Sequence, residues 1–327
     1  MPVPPRYDES MSFFAVLLAL LLEQARPLGH GNPVHATMRA WVRWVLRSFD
    51  AGREGHGWLV WCLAVGGPAL GALVVHWLLL AWLGWFVAAL WSVVILYVTL
   101  GFRQFSHFFT DIRDAIDAGD EARARELLAQ WLSIDASDLP RREILRQVIE
   151  HSVLAAHRHV FGVLAWFSVL AAFGFGPMGA VLYRLAEFVP RYAARLVNQS
   201  VQPVSEAARE SARLAWHVID WLPARITALG FAVVGSFEDA IESWRNYEAQ
   251  FGAHNDGLII AATAGAVGVR LGPDVASEPP PETENLITPA RVEPEPGHLR
   301  SIVGLVWRSV VMWLLLLFLL TLARLLG

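Results

Sequence analysis

The sequence predicts an all-α, polytopic integral membrane helical protein with short or re-entrant helices and a cytoplasmic helical insertion. Three observations carry that reading. Hydrophobic residues make up 55% of the 327 residues and charged residues only 17%, whereas soluble domains are nearer half apolar and a quarter charged. Mean hydropathy is +0.42. The apolar residues are also gathered into runs, separated by arginine-rich polar stretches.

The first run, FFAVLLALLL over Phe13 to Leu22, is ended by Glu23. It is shorter than the roughly 20 residues of a free spanning helix, and no small-x-small cleavage site follows closely, so residues 1–22 read as a tucked or signal-anchor helix. Met11 is an alternative start. Residues 23–102 hold a membrane domain of paired helices. Gly57 to Phe102 is apolar almost throughout and splits near Leu83-Gly84 into Trp58 to Trp82 and Trp85 to Leu100, with Trp58, Trp61, Trp82, Trp85 and Tyr97 toward the ends as in an aromatic belt. His76 lies inside the first span and reads as a neutral, hydrogen-bonded histidine.

Residues 103–158 change character. They carry eight arginines with interleaved acids and read as a cytoplasmic helical segment, with a turn at Ala118-Gly119-Asp120 and a further helix at LPRREILRQVIEHSVLAAH, where Asp138 is the expected N-cap. Asp111, Asp114 and Asp117 fall near one helix face, which is the alternating charge of a solvated helix. Over 159–272 the apolar pieces shorten. Val160 to Phe175 ends in GFGPMG, VLYRLAEFV carries Arg184, and IDWLPARITALGFAVVG and LIIAATAGAVGV follow. Half-length helices around Gly-Pro breaks predict discontinuous or re-entrant elements, tolerated at membrane depth only where they are buried in protein or line a cavity. SFEDAIESWRNYEAQ between the last two reads as an amphipathic helix. Residues 273–299, Pro- and Glu-rich, read as a disordered linker, and 300–327 as a last transmembrane helix centred on Val310 to Ala323.

The linkers 23–56, 103–158, 188–223 and 270–300 hold nearly all the arginines. The positive-inside rule places them in the cytoplasm, in a multi-pass protein of the bacterial inner (cytoplasmic) membrane.

Composition also excludes chemistry. The chain has no lysine, so all 26 basic residues are arginines. Schiff-base and P-loop lysine chemistry are thereby absent. A net charge of −4 gives no argument for a nucleic-acid partner. The single cysteine, Cys62, makes neither a disulfide framework nor a cysteine metal site. His157-Arg158-His159 lacks a third ligand at helical spacing, so no metal site is assigned.

Five stretches, in order, resemble the CobD/CbiB family of cobalamin-biosynthesis membrane proteins. AIDAGDEARARELLAQWLSIDASDL, EILRQVIEHSV, GPMGAVLYRLAEFVPRY, DWLPARITAL and NDGLIIAATAGAVGVRLGP match its motifs from about residue 100 to 273. The resemblance implies an enzyme that joins adenosylcobyric acid to aminopropanol or its phosphate through an amide bond, with ATP and Mg as cofactors. Glu150 and Asp220 are the implied catalytic carboxylates. Gly176, Pro177, Gly179, Tyr183, Arg184, Arg225, Asn255, Gly257 and Arg270 are the implied ligand-binding residues. The partners implied are membrane lipid and a corrinoid or other anionic small molecule, which arginine's forked guanidinium suits.

The chain departs from the family pattern in places. After Glu150 the enzymes read ESVAENTVDG, and here EHSVLAAHRHVFG stands; NTLD becomes AEFV and SPN becomes HND. LLLEQARPLGH, Arg158 and the Leu164-x-Trp166 pattern are similar to AmpE-like proteins, a related branch linked to regulation of β-lactamase induction. Three readings therefore stand beside one another: an amide-forming enzyme, an AmpE-like inner-membrane regulator that binds without turnover, and a scaffold whose broken helices serve packing. The glycines and proline at 176–179 allow a sharp turn. Asp220 and Glu187 are expected partners for the arginines at membrane depth, which otherwise snorkel to the headgroups.

Overall fold

The computed structural model describes residues 10–26, 33–246, 254–272 and 292–326. The described residues are helical throughout, with no β-strand beyond one isolated bridge between Val269 and Val292. Four helices are long and apolar enough to cross a membrane: Gly55–Leu83, Arg141–Ala172, Glu206–Val234 and Pro296–Ala323. The protein is thus an all-α polytopic membrane protein, as its composition predicts.

The helices in chain order are α1 (Ser10–Ala25), α2 (Pro33–Phe49), α3 (Glu54–Trp61), α4 (Gly67–Leu83), α5 (Trp85–Thr99), α6 (Phe102–Asp117), α7 (Glu121–Leu132), α8 (Arg141–Ala156), α9 (Gly162–Ala172), α10 (Met178–Asn198), α11 (Glu206–Val234), α12 (Phe237–Arg245), α13 (Asn255–Val267) and α14 (Pro296–Leu326). Two π-helical turns, Cys62–Gly66 and His157–Phe161, join α3 to α4 and α8 to α9 without a break. The chain divides into two compact units. One comprises Met1–Gln104, Arg158–Pro223 and Trp313–Gly327; the other comprises Phe105–His157 and Ala224–Met312.

In the first unit the tight turn expected at Leu83-Gly84 is present. Gly84 has φ +82°, a left-handed conformation that glycine adopts without steric cost, and α4 and α5 pack as a hairpin with α1 against α5. α2 is an element that the sequence reading leaves within a linker. Its arginines and tryptophans interrupt the apolar pattern, yet Val42, Val45 and Leu46 fall on one face and are buried with Val60, Ala64 and Leu185 in the core that α2 shares with α3, α10 and α11. α9 and α10 form a second hairpin around the GFGPMG turn. Gly179 makes its close approach possible, since a Cβ there would stand 2.0 Å from the Trp166 carbonyl oxygen.

Two expectations are corrected. Val160 to Phe175 is not a separate half-length piece: it ends a continuous helix, Arg141–Ala172. No proline or glycine lies between Pro140 and Gly162, so nothing breaks the register where polar sequence gives way to apolar, and the π turn at His157–Phe161 absorbs the change. Likewise IDWLPARITALGFAVVG is the second half of the 29-residue α11, with Pro223 inside it. Pro223 removes the N–H that would bond the Ile219 carbonyl. That carbonyl instead accepts the Trp166 indole N–H at 3.0 Å, which keeps the helix continuous.

In the second unit the turn at 118–120 forms as expected, with Gly119 at φ +76° and the Asp120 side chain capping α7 by accepting from the Arg123 amide at 2.9 Å. The N-cap of α8 is Pro140 rather than Asp138, because proline's fixed φ suits the entry to a helix. α13 packs on α12, where Gly265 lies against the Asp239 carbonyl. Of the expected linker 273–299, residues 273–291 lie outside the described residues. Val292 is held by the bridge to Val269, and α14 begins at Pro296, so the last helix starts before the predicted 300. The pairing of Val292 with the Gly268 carbonyl and the Arg270 amide supplies the local hydrogen bonds that end the linker.

Gly179→Ala is expected to lower stability by about 1–3 kcal/mol through overpacking against the Trp166 backbone. Gly71→Ala, whose added Cβ meets nothing within 4 Å, is expected to be neutral or slightly stabilising. Thermal unfolding of both variants in detergent checks the contrast.

Candidate functional site

The residues singled out from sequence divide between the two units. Gly176, Pro177, Gly179, Tyr183, Arg184 and Asp220 belong to the first; Glu150, Arg225, Asn255, Gly257 and Arg270 belong to the second.

The first set sits where α9, α10 and α11 meet. Pro177 is the N-cap of α10. Gly176, at φ +52°, lies against the ring of His76, so this buried histidine packs on the turn. Further along α10, Tyr183 is fully buried against Gly162 of α9, with its ring centroid 5.3 Å from that of Trp216 on α11. Its hydroxyl donates to Oδ1 of Asp220 at 2.8 Å. Burial and the Asp220 carboxylate push the Tyr183 hydroxyl up from its ordinary pKa, so it keeps its proton and remains the donor. Asp220 is 0% exposed, and Pro223 stands on the next turn of the same helix.

Arg184 donates to Glu187 Oε2 at 2.9 Å, and Arg191 pairs with the other oxygen of the same carboxylate. Burial lowers the Arg184 guanidinium to about 10, which leaves it charged at neutral pH. Glu187, itself buried, thus serves two arginines, spaced three before it and four after it on α10. Of the two expected carboxylate partners, Glu187 takes Arg184, and Asp220 accepts from Tyr183.

The second set is organised around the backbone of Gly272. The Gly272 N–H donates to Glu150 Oε1 at 2.7 Å, and Arg146 donates both to that oxygen, at 3.3 Å, and to the Gly272 carbonyl. Arg146 pairs also with Glu143. Gly272 has φ +101°, so the residue that Glu150 and Arg146 hold from both sides is one where glycine is the favoured occupant. Arg270 donates to Glu293 at 3.2 Å on the surface, and its amide bonds the Val292 carbonyl. Asn255 and Gly257 lie buried in the first turn of α13, and Arg225 is half-buried on α11.

Sequence reasoning did not find two groups here. Arg146 was legible only as one arginine among several, although its spacing of three from Glu143 and four from Glu150 marks an ion-pair ladder. Thr227, whose hydroxyl lies 2.9 Å from Nδ1 of the fully buried His157, carried no signal. Among the described residues no three His, Cys, Asp or Glu side chains converge as a metal cage.

Tyr183→Phe is expected to cost about 1–3 kcal/mol, because the buried Asp220 loses a donor. Tyr97→Phe, which removes an exposed bond to the Arg26 carbonyl, is expected to cost no more than about 1.5 kcal/mol. Denaturant titration in micelles compares the two.

A family model described as CobD/Cbib protein matches residues 12–306 of the chain. The cobalamin biosynthesis protein CobD of Stutzerimonas stutzeri is 30% identical over 314 residues, covering 93% of this chain and 96% of that protein. The protein of the same name from Chromobacterium violaceum is 32% identical over 219 residues, covering 65% of this chain and 66% of that one. No solved structure matches the chain.

Proposed function

The chain belongs to the CobD/CbiB family, and from that premise we propose that it is a multi-pass inner-membrane protein of cobalamin biosynthesis that forms an amide bond. The acid is adenosylcobyric acid and the amine is aminopropanol or its phosphate. In this reaction the carboxylate carbon gains the amine nitrogen and loses an oxygen, which leaves on a phosphoryl group of the nucleotide. The amine gives up a proton.

The observation that carries this reading is the extent of the match, which runs from α1 into α14 and covers both sets of polar residues. Either Glu150 of the second unit or Asp220 of the first is assigned to the amine proton, since a positioned carboxylate can act as the general base in such a step. Arg184, Arg225 and Arg270 are assigned to the anionic groups of acid and amine phosphate. With no lysine in the chain, the permanently charged side chains available to phosphate are guanidiniums, whose fork donates to two oxygens at once.

The cytoplasmic face is assigned to the arginine-rich linkers. In support, the Asp50 carboxylate accepts the Ser205 amide at 2.8 Å. Ser205 immediately precedes the span Glu206–Val234 and Asp50 comes shortly before Gly55–Leu83, so the two spans start near one level.

A second reading has its own observation. Following Glu150, where the family's enzymes carry further polar residues, Val153, Ala155, Ala156 and Val160 are buried and His157 is held by Thr227. Packing of that stretch supports a family member that keeps the fold and binds without turnover, the AmpE-like reading.

Expression in a strain lacking the synthase separates the two. The amide-forming reading expects growth on cobalamin-dependent medium without added cobinamide, abolished by Arg225→Ala. Absence of growth at verified membrane expression overturns it in favour of the regulatory reading.

A further inference from the structure

We propose that α2 and the C-terminal turn of α10 form a binding site for the phosphate headgroup of an anionic phospholipid. Arg39, Arg43 and Arg47 recur every fourth residue along α2, which sets them along one helix face. None of the three pairs with a carboxylate among the described residues. Arg43 donates to the neutral Tyr192 hydroxyl at 2.8 Å, and Arg47 to the neutral Gln202 amide oxygen at 3.0 Å. The contact to Tyr192 brings the stripe to α10, where Arg195 lies exposed one turn beyond and likewise has no carboxylate partner. Elsewhere in the described residues helix-borne arginines such as Arg113, Arg123, Arg209 and Arg213 each pair with an acid on their own helix. Here four arginines without an acid are gathered on two adjoining helices. The nearby acid, Asp50, is committed to the Gly52 and Ser205 amides.

Its place in the fold identifies the occupant. α2 ends at Phe49 and the span Gly55–Leu83 begins six residues later, so the end of α2 lies within about 20 Å of the apolar segment at full extension. The Asp50 bond to Ser205 brings the start of a second span, Glu206–Val234, to the same level. The patch therefore sits where headgroups lie. Trp44, 52% exposed, projects from α2 and touches Trp41 and Phe49, an amphipathic ring of the kind that settles at the membrane–water boundary. Arginine on one side and exposed tryptophan on another make α2 an interfacial helix, and four guanidiniums without acids complement a phosphodiester.

Native mass spectrometry of the full chain in uncharged detergent, titrated with phosphatidylglycerol or phosphatidylcholine, tests the site. Phosphatidylglycerol is expected to bind more tightly. Arg39→Gln with Arg195→Gln removes two charges that hold no side chain among the described residues, and is expected to weaken phosphatidylglycerol about 25-fold, at about 5-fold per arginine. Phosphatidylcholine binding and the melting temperature are expected to stay unchanged. Arg39→Lys with Arg195→Lys is expected to retain most of the binding. Arg113→Gln with Arg123→Gln, an equal loss of charge on other helices, is expected to bind as the parent does. An equal loss in that control, no loss in the first pair, or displacement of the lipid by inorganic phosphate at matched concentration overturns the assignment. None of these outcomes depends on whether the protein catalyses a reaction.

Discussion

A carbonyl group that a proline or a π turn frees inside an apolar helix has no water to turn to, and leaving it without a donor costs several kcal/mol. The first unit is arranged around that constraint. Pro223 frees the Ile219 carbonyl, and the Trp166 indole fills the position. Pro68, which has no N–H to give back to residue 64, leaves the Ala64 carbonyl to the Trp41 indole at 3.2 Å, and the Gly174 carbonyl at the α9–α10 turn accepts from Trp77 at 3.1 Å. Tryptophan supplies a single donor on a large apolar body, which is the chemistry such positions need. Trp41, Trp77 and Trp166, three of the 15 tryptophans and none of them in the expected aromatic belt, are therefore ties between segments of the chain.

Trp166 is the most consequential of them. Its carbonyl lies against Gly179 on α10 and its indole reaches α11, so one residue of α9 fixes two neighbours. Tyr183 makes the second tie, resting on Gly162 of α9 and donating to Asp220 of α11. The glycines of the GPMG turn and the proline of DWLPARITAL thus act together: they let three helices approach closely enough for two indole and phenol donors to cross. The polar residues of these motifs are built into the fold first, and any role they have toward a ligand starts from positions that the packing sets.

Much of this was legible in the sequence. Composition and run length give the membrane class, Gly84 gives the hairpin, and the five motif stretches give the family. The continuity of Arg141–Ala172 and Glu206–Val234 was not, because a run of charges and an internal proline look like helix ends when their compensating contacts are out of view. Trp166 lies 53 residues from Ile219, and Glu150 lies 122 from Gly272; neither pairing leaves a periodic trace. α2 was hidden for a different reason. Its buried stripe is narrow and its other faces carry arginine and tryptophan, so no window around it looks apolar. At the site, the pairing of Glu187 with Arg184 and Arg191 follows from helical spacing, while the Tyr183–Asp220 bond needed the fold.

The central claim is that the Trp166 indole replaces the hydrogen bond that Pro223 removes, and a double-mutant cycle measures it directly. Trp166→Phe is made in the natural chain and in a Pro223→Ala background, where the restored amide serves Ile219, and unfolding free energies are compared in micelles. The packing cost of the smaller ring cancels between the two. The account predicts that Trp166→Phe costs at least about 1 kcal/mol more when Pro223 is present than when it is absent. An equal cost in both backgrounds contradicts it.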